Sequence, residues 1–207
     1  MKAVEIEWIK FNPASMVKPM KVKKVGFHTW TEEEIEKYLS VYRLGSVPYA
    51  AMTLMLYTGA ARVDAVKLGW QSINNGRVEY VRQKTKSNNG MVISIPVHPH
   101  LQTVLDKIPS EVKTFLETKD GQQRSEKGLG KDMRKWCNAA GLPKCSSHGL
   151  RKAIARRLAE AGATGHQIMS VTGHKTLSEV QRNTEEANRA KLANAAMQKM
   201  TRKKKKP

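Results

Sequence analysis

One short segment with strand periodicity lies between long stretches with helical periodicity, and this arrangement limits the possible folds. Positions 91, 93, 95 and 97 hold Met, Ile, Ile and Val, which is the period-two pattern of a half-buried strand. Residues 78–82 indicate a second strand, and turn sequences occur at 74–76 (Asn-Asn-Gly) and 87–90 (Ser-Asn-Asn-Gly). These patterns predict a small antiparallel hairpin set in a helical protein.

Helical patterns flank the hairpin on both sides. Thr31 with Glu34 forms a capping-box sequence, and the run 49–58 is apolar all round, which is typical of a buried helix. Trp136 and Cys137 share an apolar stripe and are expected in the core. Further helices are expected near residues 35–42, 62–68, 101–108, 129–140, 147–161 (with Ser147 as its cap), 168–173 and 177–200. The predicted fold class is mainly α with a small antiparallel β-sheet, an α+β fold.

The length of 207 residues fits one large domain, or one domain with appendages. Residues 1–30 have no sustained periodicity, and we interpret them as a leader or as the remnant of an interdomain linker. Residues 31–200 form the predicted domain. Residues 201–207 form a basic tail that is expected to be disordered, since like charges in a run repel one another.

Charge is the strongest compositional signal. The chain has 37 Lys and Arg against 18 Asp and Glu, a net charge of +19, and without the five basic residues of 202–206 the charge is still +14. A folded domain this basic repels itself unless its partner is a polyanion, so nucleic acid is the first candidate and an anionic membrane surface the second.

The sequence speaks against membrane insertion and secretion. No apolar run reaches the roughly 18–20 residues that cross a bilayer, and Glu5 and Glu7 interrupt the N-terminal apolar stretch, so no signal peptide is predicted. Cys137 and Cys145 form neither a CxxC pair nor a zinc pattern, which favours a reduced, cytoplasmic protein without disulfides. His98 and His100 suggest a metal site, but no third ligand is evident and a strand-to-helix turn is the favoured interpretation.

Basic and imidazole side chains cluster at three places. Arg62 follows a Thr-Gly pair at 58–59, Lys84 lies at the open end of the hairpin, and His148 precedes Arg151 by three residues. Residues three apart share a helix face, so His148 and Arg151 can reach one ligand, and an arginine fork matches two phosphate oxygens. Each of these residues could instead be an ordinary surface charge; it is their order along the chain that favours a common site.

These motifs together resemble those of the tyrosine recombinases, the phage-integrase family. The resemblance runs from about residue 29 to residue 196, and it is most specific in the His148-to-Arg151 pair and in Gly173-His174, where His174 lies 23 residues after Arg151. A Thr-Gly pair followed by Asp64, and Lys84-Thr85 on the hairpin, complete the pattern.

The resemblance implies a chemistry. The family cleaves a DNA strand by tyrosine attack on a phosphodiester and uses no metal or other cofactor, because the covalent intermediate stores the bond energy. By this resemblance, Arg151 stabilises the charged phosphate, His148 handles a proton, His174 contacts the scissile phosphate and Lys84 protonates the leaving oxygen. Double-stranded DNA is the implied partner.

Two positions depart from the family pattern. The family's first arginine lies three residues before the acid, but position 61 is Ala61; Arg62 is its neighbour and could serve only if the local turn allows it. The family's nucleophile lies nine residues after the second histidine, and that position is Asn183, which has no ionisable oxygen. The neighbouring hydroxyls of Ser178 and Thr184 could attack only with a base and an altered geometry.

The resulting expectation is a recombinase catalytic domain that binds DNA for recombination or integration and is impaired in cleavage. The alternative is a non-catalytic regulatory DNA-binding protein that keeps the fold. The sequence leaves open whether Asn183 and Ala61 are engineered, decayed or natural. The family's N-terminal DNA-binding domains are not recognised in residues 1–30, so weak, salt-dependent binding is expected. The final helix, about residues 187–200, has Leu192, Ala196 and Met200 on one face. It could join a second protomer or pack on its own domain.

Overall fold

The structure is a computed structural model that describes residues 10–12, 26–82, 90–184 and 189–202. Within these ranges the chain is helical around one small sheet. The helices are α1 (Glu32–Val41), α2 (Val47–Thr58), α3 (Arg62–Ala65), α4 (Pro99–Leu105), α5 (Glu126–Ala139), α6 (Ser147–Glu160), α7 (Gly165–Thr172), α8 (Leu177–Thr184) and α9 (Arg189–Arg202). The strands are β1 (Ile73–Asn74), β2 (Arg77–Arg82) and β3 (Met91–Pro96). The predicted α+β class is confirmed.

The predicted hairpin is part of a three-stranded antiparallel sheet in the order β1-β2-β3. The turn between β1 and β2 uses left-handed backbone at Asn75 (φ 48°) and Gly76 (φ 70°), which suits the Asn-Gly sequence. In β3, Ile93 and Ile95 are buried as the alternation predicted. The strand β1 was not predicted, because two residues are too short to carry a period.

Helices α2 and α6 form the centre of the packing. Eight of the twelve residues of α2 are buried, so its all-round apolar sequence is explained by contacts on every side. Helix α6 packs against α2 and also contacts α7, α8 and α9. A smaller apolar cluster joins α6 to the C-terminal helices, with Leu192 of α9 packed against it; its buried members are Ala155, Ala159, Ile168 and Val180.

Several predicted boundaries were wrong by a few residues. Helix α3 ends at Ala65 and not near residue 68, and the cap of α6 is Ser146 and not Ser147, since the Ser146 hydroxyl accepts from the Gly149 N–H. The stretch 177–200 contains two helices, α8 and α9, and α9 agrees with the final helix expected at about 187–200. Trp136 is only half-buried, because its ring lies at the surface under the Arg124 guanidinium, 5.8 Å from its centroid.

The segment 26–30 packs against the start of α6. Trp30 has no exposed surface, and its indole N–H donates to the Ser146 carbonyl over 2.8 Å. Gly149 is needed here, because a Cβ at this position would lie 2.8 Å from Cδ1 of the Trp30 ring. Among the described residues, no helix is both long and apolar enough to cross a membrane.

Candidate functional site

Arg151 lies at the centre of the site, one turn into α6. Its Nη1 donates to the Gly59 carbonyl, at the point where Gly59 ends α2 in the left-handed conformation (φ 62°). Its Nη2 is shielded from solvent and has no acceptor among the described residues. Burial and the nearby charge of Arg82 lower the pKa of Arg151 to about 10, so the guanidinium remains protonated at neutral pH. A shielded, charged donor without an acceptor is suited to an anionic ligand.

His148 and Arg62 form one side of the site. The His148 ring stacks on Phe27 with 4.5 Å between centroids, while its edge is exposed. Partial burial and the charges of Arg62 and Arg151 lower the pKa of His148, and Glu126 opposes them. Arg62 pairs with Glu126 over 3.2 Å and packs tightly on Gly130 of α5. We call Arg62, Glu126 and His148 the open side.

The backbone at position 61 explains how Arg62 reaches this side. Ala61 is the N-cap of α3 and has extended backbone (φ −70°, ψ 160°), so positions 61 and 62 are not consecutive positions of a helix. A small cavity of about 50 Å³ is lined by both residues; its wall comprises Ala61, Arg62, Glu126, Ser147, His148 and Arg151. The structure therefore places Arg62 at the pocket, and it places the short side chain of Ala61 there too.

His174 and Asn183 form the opposite side. His174 follows Gly173, which ends α7 in the left-handed conformation (φ 64°), and its side chain is buried with only 6% of its surface exposed. Its Nδ1 lies 2.6 Å from Thr172 Oγ1, and its Nε2 lies 2.8 Å from Asn183 Nδ2. We call His174, Thr172 and Asn183 the buried side.

These contacts assign the protonation state of His174. The Thr172 hydroxyl donates its only proton to the Ile168 carbonyl over 2.7 Å, so it accepts from His174 Nδ1–H. Nε2 is then the acceptor for the Asn183 amide N–H. Burial and the charges of Arg151 and Arg82 lower the pKa of His174 to about 4, and Glu179 opposes this shift. The ring is therefore neutral at pH 7.

Two hydroxyls close to Asn183 in the sequence, those of Thr184 and Ser178, have local hydrogen bonds. The Thr184 hydroxyl donates back to the Val180 and Gln181 carbonyls, at 3.0 and 3.2 Å, and Ser178 Oγ lies 3.0 Å from Thr176 Oγ1. Both hydroxyls are thus used within α8 and its first turn. Asn183 itself lies beside His174, nine residues further along the chain.

Lys84 lies outside the described residues, so its predicted role stays a prediction. The strand that leads to it ends at Arg82, which sequence reasoning missed. Side chains alternate between the two faces of a strand, so position 82 lies on the same inward face of β2 as the buried Val78. This alternation is the sequence signal that points to Arg82. The charge of Arg82 acts on Arg151 and on His174, so it belongs to the same neighbourhood.

The imidazoles outside the site have structural explanations. His98 is the N-cap of α4 and accepts from the His100 N–H over 3.2 Å, which confirms the predicted strand-to-helix turn. His28, Glu34 and Cys145 have donor atoms within 4.8 Å of one another, the one group with such spacing in the described part of the chain. His28 Nε2 lies 2.7 Å from Glu34, whose carboxylate also accepts from the Thr31 N–H. These contacts join the start of α1 to the preceding segment.

Comparison with known proteins identifies the family. The family model named "Phage integrase family" matches residues 29–189. A lambda integrase dimer bound to a COC' core site has a TM-score of 0.74 at 22% identity, with 91% of this chain and 69% of that chain covered. A lambda integrase tetramer bound to a Holliday junction gives the same score and identity, with 91% and 56% covered. XerA recombinase gives a TM-score of 0.66 at 16% identity, with 95% and 73% covered.

A search of curated proteins gives no match. The chain spans between about half and three quarters of the length of the solved chains that it resembles. The family model nevertheless covers most of this chain, including α6, α7 and α8. The fold around Arg151 is that of a tyrosine recombinase catalytic domain, and the chain belongs to the phage integrase family.

Proposed function

We propose that this chain binds double-stranded DNA through a backbone phosphate held at Arg151, as the catalytic-domain part of a recombination or integration system, and that it does not cleave the strand. The observation that carries the proposal is the shielded Nη2 of Arg151, a charged donor with no acceptor among the described residues. A phosphate oxygen would supply that acceptor.

Charge supports DNA as the ligand. The net charge of +19 favours a polyanion over a small anion, and Arg62, His148 and His174 surround Arg151 from both sides. The lambda integrase relatives of the same fold are bound to DNA in their solved structures. We therefore assign His148, His174 and Arg62 to phosphate contacts, and the hairpin Lys84 to the same site.

Asn183 argues against cleavage by the family's mechanism. That mechanism needs an ionisable oxygen that attacks phosphorus, and an amide has none. In this chain the amide donates to His174 Nε2 instead. Bound DNA would therefore stay intact.

A second candidate function is a regulatory DNA-binding protein that keeps the recombinase fold. The observation that favours it is Ala61, because the pocket lacks the family's first arginine as well as the nucleophile. Association of two copies of the chain through α9 is compatible with both functions. Leu192 of α9 packs on its own domain, whereas Met197 and Met200 are 62% and 65% exposed.

Binding is tested by titrating a fluorescent duplex at several salt concentrations. The logarithm of affinity should fall by about 0.9 per log unit of salt for each phosphate neutralised. Arg151→Ala should weaken binding by about a hundredfold, since a charge-assisted contact and its desolvated site are both lost. Arg151→Lys keeps the charge but not the fork and should lie between. A flat salt response, or an unchanged Arg151→Ala affinity, contradicts the proposal.

Cleavage is tested on a nicked suicide duplex by looking for a detergent-resistant protein–DNA adduct. The unaltered chain should form none. Asn183→Tyr, alone or combined with Ala61→Arg, should form the adduct if only those positions disable an otherwise complete recombinase site. An adduct with the unaltered chain would contradict the non-cleaving proposal. Binding without any adduct, even in the double variant, would favour the regulatory function.

A further inference from the structure

We propose that Arg82 is a second phosphate-binding arginine of this pocket, replacing in function the arginine that is absent at position 61. The inference rests on the proposed function, since it assigns a further residue to the same ligand. It concerns this chain's own arrangement, because the family pattern described above has no arginine at this position of the hairpin strand.

The strand geometry directs Arg82 inward. Side chains alternate along β2, and Val78 on the same face has no exposed surface, while Tyr80 is half-buried. Tyr80 O–H donates to the Thr58 carbonyl over 3.4 Å, which holds this face of the strand against the end of α2. Arg82 lies on this same face, and its charge acts on Arg151.

Gly173 supplies independent evidence for where the Arg82 side chain lies. A Cβ on Gly173 would lie 3.3 Å from Arg82 Cδ and 3.4 Å from Arg82 Nη1. The Arg82 guanidinium therefore crosses over the end of α7, next to the position of His174. Glycine suits this position, because its backbone is left-handed and an added Cβ would lie 2.8 Å from Ile93 Cδ1.

The electrostatics of Arg82, Arg151 and His174 favour an anionic ligand. Burial opposes protonation of both Arg151 and His174, and the charge of Arg82 adds to that effect in each case. Asp64 and Glu179 offset part of the repulsion at Arg151. An anion that lies between these two guanidinium groups would offset their repulsion, and a phosphodiester offers two non-bridging oxygens for two forks.

Arg62 and Arg82 would then flank the phosphate from opposite sides of Arg151. Arg62 is already paired with Glu126 on the open side, whereas Arg82 faces the buried side near His174. A phosphate at Arg151 would therefore meet one arginine at each flank, although position 61 has only a methyl group.

The test compares Arg82→Ala with Arg77→Ala. Both substitutions remove one positive charge from β2, but Arg77 is exposed, lies at the other end of the strand and binds Ser94 through its Nε over 2.8 Å. Arg82→Ala should weaken duplex affinity by about tenfold to a hundredfold and reduce the salt slope by about 0.9. Arg77→Ala should change affinity by less than about threefold. Equal losses in the two variants overturn the role of Arg82.

Two further measurements separate outcomes. Arg82→Lys should recover part of the affinity, and thermal unfolding of each variant reports whether the pocket is still folded. Without DNA, Arg82→Ala should raise the pKa of His174, measured by NMR titration, because a nearby positive charge is gone. If the pKa does not move, Arg82 does not lie beside His174 and the inference falls. If Arg151→Ala weakens binding but Arg82→Ala does not, Arg82 alone is wrong; if neither does, the proposed function is wrong as well.

Discussion

Each side of the pocket holds one histidine, and the two histidines lie under opposite conditions. On the open side, His148 has an exposed edge and Arg62 pairs with a half-exposed Glu126. On the buried side, His174 is enclosed, and both of its ring nitrogens are within hydrogen-bond distance of a neighbouring side chain. The open side can therefore adjust to a ligand at little cost. The buried side is already organised: His174 Nε2 accepts from Asn183, so it must lose that contact and gain a proton before it can donate to a phosphate.

This difference has a consequence for acid stability, which is the largest effect expected. The pKa of His174 is about 4 in the folded protein, against 6.5 for a free histidine, so the folded state favours the neutral ring. Unfolding takes up a proton between these values, and the stabilising contribution is present above pH 6.5 and is lost as the pH falls toward 4. At pH 5 the loss is about 2 kcal/mol.

Denaturant unfolding at pH 8 and pH 5 measures this loss. His174→Gln removes the titrating ring, so its free energy of unfolding should fall by about 2 kcal/mol less between the two pH values than that of the unaltered chain. His148 and His98 also have lowered pKa values and remain in both proteins, so the comparison isolates His174. Parallel pH dependences in the two proteins would mean that His174 is not buried neutral.

A second prediction concerns an added charge at position 61, beside the open side. Ala61→Arg adds a guanidinium to the wall of the small cavity shared with His148 and Arg151. Duplex affinity should rise by about tenfold, the value of one charge-assisted contact. Ala61→Met has a long side chain without the charge and is the matched control. A gain in both variants would point to packing, and a loss in Ala61→Arg alone would mean that repulsion from Arg62 and Arg151 dominates.

The open side and the buried side also differ in how well the sequence predicts them. The resemblance to the recombinase pattern indicated that His148, Arg151, His174 and Asn183 belong to one site. The structure puts His148 and Arg151 on the wall of one cavity and Asn183 beside His174. The fate of Arg62 could not be predicted, since it depends on the extended backbone of Ala61, which no periodicity encodes.

Arg82 was missed for a related reason. Strand alternation places it on the face of Val78, but the sequence does not say which helix covers that face. Only tertiary packing shows that the end of α7, with Gly173, lies there. The N-cap of α6 is likewise Ser146 and not Ser147, and its carbonyl accepts from Trp30, a residue distant along the chain. Local patterns predict elements and offsets, whereas the approach of distant segments decides which side chains share a pocket.

The smallest predicted effect concerns the partner of Arg62 on the open side. Glu126→Gln removes the carboxylate that pairs with Arg62 over 3.2 Å, so Arg62 becomes available to DNA and a negative charge near the phosphate disappears. Duplex affinity should rise by about threefold, since exposed ion pairs contribute less than about 1 kcal/mol. Glu111→Gln, which changes an exposed carboxylate that accepts from Ser110, is the control for net charge.

A second readout decides between a local and a general charge effect in Glu126→Gln. Glu126 raises the pKa of His148, whereas Arg62 and Arg151 lower it. Without the carboxylate, the pKa of His148 should fall further, and NMR titration of its ring protons measures this shift. An affinity gain shared by Glu111→Gln, with the pKa of His148 unchanged, would show that Glu126 acts only through net charge. It would then follow that the open side is a plain basic surface, and that the buried side alone defines the phosphate position.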